Sequence, residues 1–199
     1  MTRATTLLDA TFRDRGLAWQ AGLVIAGSAL IAIAAQVSVP FWPVPMTLQT
    51  LAVLLVGFAY GARLGAATVM AYLAEGAIGL PVFANGGAGV AYMMGPTAGF
   101  LAGFVAMAWI AGKAAEFGLA RGVLGTALAA MVASAALYLP GLAWPMAVAG
   151  VFGIEAGWAS LSAASVWSSF AAPFLLGDAV KAIIAALVMT GAWRALRRA

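Results

Sequence analysis

Asp178 and Lys181 stand three residues apart inside an otherwise apolar stretch running from Phe174 to Val188. At that spacing both side chains leave the same face of a helix. A carboxylate accepts hydrogen bonds and an ammonium donates them, so the pair can read a ligand bearing N–H groups beside a carbonyl or carboxylate. Charges inside a bilayer are costly and by default mark functional sites. The plainer alternative is an ion pair whose members neutralise each other and tie two helices together. Asn85 is a second candidate, because its amide donates and accepts at once; the plainer reading there is an Asn-Gly turn. Gln49 and Glu75 are polar groups in apolar surroundings, and Glu155 reads as a solvated loop residue.

These side chains need a frame. Of 199 residues, 65% are hydrophobic and 8% charged, with a mean hydropathy of +1.04. Soluble domains carry about 25% charged residues, so the composition specifies an all-α integral membrane protein. Long apolar blocks favour helices over a β-barrel. A span needs about 20 apolar residues. Six are expected, at 17–37, 47–60, 64–80, 96–117, 123–143 and 170–196, in one domain covering 1–199 with 1–16 as a polar tail. Three prolines at 40, 43 and 45 favour a stiff extended connection. The loop 81–95 is rich in glycine, residues 144–168 look irregular, and Pro173, Gly177 and Asp178 suggest a partly unwound start to the last span.

The basic residues give the topology. Arg3, Arg13 and Arg15 precede the first span, Arg63 follows the second, Lys113 and Arg121 close the fourth, and Arg194, Arg197 and Arg198 close the sixth. All fall on one side, which the positive-inside rule makes cytoplasmic, together with both termini. Lys181 is the exception. The net charge of +4 is therefore topological and does not point to nucleic acid. The longer connections lie outside, as expected for capture from that side, or simply for loops folded over a bundle. Cysteine and histidine are absent, which excludes disulfides, thiol nucleophiles and imidazole chemistry. There is no phosphate-binding loop, so the chain does not itself hydrolyse ATP. Phe41, Trp42, Phe83, Tyr92, Trp144 and Trp158 cluster near the outer loops; a belt explains most of them, with Trp42 and Tyr92 as candidate pocket walls. Gly22 with Ala26, and Ser28 with Ala32, have the small-residue spacing that lets helices approach, for internal packing or for a partner subunit.

Four stretches, taken in order, carry a resemblance: 39–50 (VPFWPVPMTLQT), 79–89 (GLPVFANGGAG), 95–100 (GPTAGF) and 177–181 (GDAVK). Together they resemble the BioY family, the biotin-binding S component of energy-coupling factor (ECF) vitamin transporters. The resemblance implies six membrane helices, and a site near the outer face covered by the loops after the first and third. It implies a bacterial plasma (inner) membrane, a transmembrane coupling protein and two ABC ATPase partners, with no cofactor on this chain. Asn85, Asp178 and Lys181 would contact biotin. Ser28 with Ala32, or Gly22 with Ala26, would dock on the coupling protein. For the valerate carboxylate, backbone N–H groups, Thr97 or Gln49 are the candidates. The rivals are an S component for another small vitamin or heterocycle, a self-sufficient facilitator or channel, and an intramembrane enzyme using Glu75 or Asp178. The last is disfavoured by the lack of His, Cys and a metal set.

Overall fold

Runs of Ala, Leu, Val and Ile fold as helices where no water can satisfy an open backbone. The computed structural model describes residues 6–11 and 16–197. Most of the expected 1–16 tail, including Arg3, Arg13 and Arg15, and Arg198 at the other end lie outside the described residues. A short α1 (Leu7–Thr11) precedes α2 (Leu17–Gln36), α3 (Gln49–Tyr60) and α4 (Ala62–Ala77). Then come α5 (Gly89–Met93), α6 (Ala98–Glu116), α7 (Val123–Ala143), α8 (Ala149–Val151), α9 (Ala163–Val166) and α10 (Ala172–Leu196). Two short strands, β1 (Ser38–Val39) and β2 (Met46–Thr47), pair antiparallel with Ser38 opposite Thr47. The proline-rich connection is therefore a hairpin that doubles back rather than an extended strap.

Four helical stretches among the described residues are long and apolar enough to cross a membrane: Leu17–Gln36, Ala98–Glu116, Val123–Val151 and Ala163–Leu196. The second and third expected spans fall short of that length. α3 has 12 residues and α4 has 16, or about 18 and 24 Å against a hydrocarbon core of about 30 Å. The hairpin consumes the residues before Gln49, and Gly61, at φ +82°, ends α3 in a turn that only glycine adopts freely.

The region expected to be irregular is partly helical. α7 runs through a π-turn at Trp144–Val148 into α8, and α9 runs through another at Trp167–Ala171 into α10. Pro145 and Pro173 lack the N–H that a regular helix needs, and a widened turn absorbs each defect. Gly177 and Asp178 consequently lie in regular helix, and the irregularity sits a turn or more before them.

α6 packs against α3, α4 and α7, while α10 packs against α7 and α3, and α2 lies along α4 and α3. Phe58, Tyr72, Phe83, Met107, Leu137 and Met189 are buried in this core. Gly112 lies so close to the backbone of Gly61 and Ala62 that a Cβ would overlap them. At the same end Glu116 accepts from Ala62 N–H at 2.9 Å and from Lys113 Nζ at 2.9 Å. Arg121 lies 5.1 Å from the Trp193 ring centroid. Arg63, Lys113, Arg121 and Arg194 thus gather at one end of the bundle. Lys181 sits 12 residues before Trp193 on α10, about 18 Å away at 1.5 Å per residue.

Candidate functional site

The regular helix of α10 sets Asp178 and Lys181 on one face, with Nζ 3.3 Å from Oδ1. Each residue is only 6% exposed. Two other helices converge on the same carboxylate. α7 brings Tyr138, whose hydroxyl donates to Oδ2 at 2.6 Å, and α3 brings Thr50, whose hydroxyl donates to Oδ1 at 3.4 Å. The Lys181 ammonium has three donors and one acceptor, Asp178, among the described residues.

Asp178, Lys181, Tyr138 and Thr50 line a cavity of about 560 Å³, counted with the open space at its mouth. α6 supplies Phe100, Leu101 and Phe104 and its N-cap Thr97, α7 adds Leu137, and α10 adds Phe174. The hairpin contributes Val44, Pro45, Met46 and Thr47, and the 3₁₀ turn Ala84–Gly86 contributes Ala84. Gln49 and Tyr92 complete the wall. The Gln49 amide donates to Tyr72 Oη at 2.7 Å and accepts from Thr47 Oγ1 at 3.0 Å. Tyr72 in turn donates to Val82 O at 3.1 Å. Tyr92 stacks on Phe83 with centroids 5.0 Å apart, and Phe83 meets Tyr72 edge-on at 5.5 Å. Burial raises the Tyr92 phenol above its ordinary range, against its hydrogen bonds with the Thr97 side chain and the Ala84 backbone.

The structure thus brings Asp178, Lys181, Gln49, Tyr92 and Thr97 to one cavity and leaves two other candidates out of its wall. Trp42 is 76% exposed at the hairpin tip. Asn85 is exposed, with φ +57°, and its Oδ1 accepts from Ser38 Oγ at 2.9 Å. Asn tolerates that left-handed conformation better than most residues, and it turns the amide away while its neighbour Ala84 faces in. Gln36 fixes the same turn: its Nε2 donates to Phe83 O and its Oε1 accepts from Gly86 N–H, both at 3.0 Å. Tyr138, Thr50 and Gln36 were not singled out from the sequence.

The small-residue pairs on α2 also separate. Ser28 is buried and donates to Glu75 Oε1 at 2.9 Å, facing α4. Ala32 is half-buried, whereas Gly22 and Ala26 are exposed. Glu75 therefore serves the α2–α4 contact and does not line the cavity.

Apolar helices around a cavity with a few oriented polar groups on its wall define a membrane-embedded ligand-binding protein. The chain belongs to the BioY family, which it matches over residues 5–198. It is 36% identical over 159 residues to a biotin transporter BioY of Rhizobium etli, covering 76% of this chain and 79% of that one. A probable biotin transporter BioY of Pyrococcus horikoshii is 37% identical over 125 residues, covering 63% and 73%. Among solved structures, the S-component for biotin from an ECF-type ABC transporter has the same fold. Its TM-score is 0.72 at 21% identity, over 94% of this chain and 96% of that one. These relatives are named as transporters or as a transporter component.

Proposed function

We propose that the chain captures biotin as the S component of an ECF-type ABC uptake transporter in a bacterial plasma membrane. The observation that carries this is the Asp178–Lys181 pair on the wall of an otherwise largely apolar cavity. Biotin's ureido ring offers two N–H donors and one carbonyl. Lys181 has donors to spare for the carbonyl, and the Asp178 carboxylate is the acceptor for an N–H. Charge-assisted bonds of this kind are strong where water is excluded. Phe100, Leu101, Phe104, Leu137 and Phe174 suit the thiophane ring and the valerate chain. The Thr97 and Tyr92 hydroxyls, which hydrogen-bond to each other, and backbone N–H groups are the donors offered to the carboxylate; Gln49 is engaged on both amide atoms. In this reading Asn85 reaches the ligand only after leaving Ser38.

In the same proposal six helices cross the membrane in one domain, with α3 and α4 as short members. The end bearing Arg63, Lys113, Arg121 and Arg194 faces the cytoplasm with both termini, and the cavity opens toward the other side. A transmembrane coupling protein and two ABC ATPases supply the energy, because this chain has no phosphate loop of its own. Gly22 and Ala26, on the free face of α2, are the better docking pair; Ser28 is occupied internally.

The test is titration calorimetry of the purified chain against biotin and a panel of other vitamins, with mass spectrometry of ligand released on denaturation. Tight binding of biotin alone is expected. A different vitamin bound in its place would move the chain to another substrate, and biotin uptake by vesicles holding this chain alone would favour the self-sufficient facilitator.

A further inference from the structure

The hydroxyl of Tyr138 lies 2.6 Å from Asp178 Oδ2, a distance typical of an O–H donor on an ionised acceptor. Oδ1 receives Lys181 at 3.3 Å and Thr50 at 3.4 Å. One carboxylate thus holds donors from α3, α7 and α10. The terminal torsion of an aspartate is broad and roughly two-fold, so these bonds decide where its oxygens point. They also occupy three of about four lone-pair directions. Lys181 keeps two donors without an acceptor among the described residues, so most of the pair's unused hydrogen-bonding capacity belongs to the ammonium.

We propose that Tyr138 is a positioning residue of the site: by fixing the Asp178 carboxylate it aims the Lys181 ammonium at the carbonyl of the bound ligand. The inference rests on the biotin reading for the identity of that carbonyl. With phenylalanine at 138 the edge-on contact with Phe100, at 6.0 Å between centroids, can persist, but Oδ2 loses its donor. The freed oxygen then turns toward the remaining Lys181 donors and competes with the ligand for them.

Two measurements on the purified full chain test this. In calorimetry, Tyr138→Phe is expected to bind biotin about tenfold more weakly, the scale of one hydrogen bond to a charged group. In ligand-free protein labelled with ¹⁵N-lysine, the chain's two lysines, Lys113 and Lys181, report separately. Tyr138→Phe should move the Lys181 ammonium resonance and leave that of Lys113 in place. Tyr138→Leu is the second donor-free variant should Tyr138→Phe fail to fold. Wild-type affinity, or an unmoved Lys181 resonance, overturns the proposal. If the wild-type chain itself does not bind biotin, the functional reading has failed, and the resonance still decides whether Tyr138 positions Lys181.

Discussion

Burying a carboxylate and an ammonium costs several kcal/mol for each ion, and mutual attraction repays that only with good geometry and further hydrogen bonds. Asp178 has the further bonds, from Tyr138 and Thr50; Lys181 has only Asp178 among the described residues. A purely structural pair would satisfy both members. This imbalance leads to a prediction that separates stability from binding. Lys181→Met and Asp178→Asn each leave a buried charge without its partner, at a cost of about 3–5 kcal/mol, and each should lose at least a hundredfold in biotin affinity. The double variant removes both charges, so its melting temperature should recover toward wild type while binding stays lost. Wild-type affinity in either single variant would make the pair structural. The two charges were legible in the sequence because ions stand out in an apolar run. Tyr138 and Thr50 were not, since Tyr and Thr are unremarkable inside a span and meet Asp178 from 40 and 128 residues away. Asn85 and Trp42 stand out by residue type, and Asn85 also by the resemblance of its loop to the family's. Their outward placement depends on turn geometry that type alone does not specify.

At the scale of elements, the turn following α4 is held from two directions. Phe83 fills a notch over Gly76, where any Cβ would strike its ring. Gln36, the last residue of α2, bridges Phe83 O and Gly86 N–H with one side chain. The amide completes backbone hydrogen bonds that the turn cannot make for itself. Gln36→Ala should therefore loosen residues 83–88 without unfolding the bundle. Hydrogen exchange there is expected to speed up, and biotin to dissociate several-fold faster with little change in association. Unchanged exchange would show that Phe83 suffices to hold the turn. Helix positions were largely legible, because glycine and proline bound the apolar blocks. Proline marks a break in the ladder, but it does not say whether the helix stops or widens; the π-turns at Trp144–Val148 and Trp167–Ala171 depend on packing against neighbouring helices.

Across the whole molecule, the cavity and the basic cluster lie toward opposite ends of the bundle. Of the four long apolar stretches among the described residues, α2 is the most open, with 17% of its apolar window buried against 61% for α6. Its open face carries Gly22 and Ala26 beside Ile25 and Ile33, and its inner face carries Ser28 against Glu75. Small residues let a partner helix approach closely, so in the proposed assembly capture and coupling use different surfaces of one chain. Gly22→Leu with Ala26→Leu should leave biotin affinity within twofold of wild type. In vesicles containing the coupling protein and both ATPases, ATP-driven uptake should fall at least tenfold. Ser28→Leu should behave oppositely: it forces a bulky group against Glu75 and should lower the melting temperature of the isolated chain before any partner is present. Full uptake with both leucines in place would remove this face of α2 from the coupling interface, and the exposed sides of the remaining helices would then have to supply it.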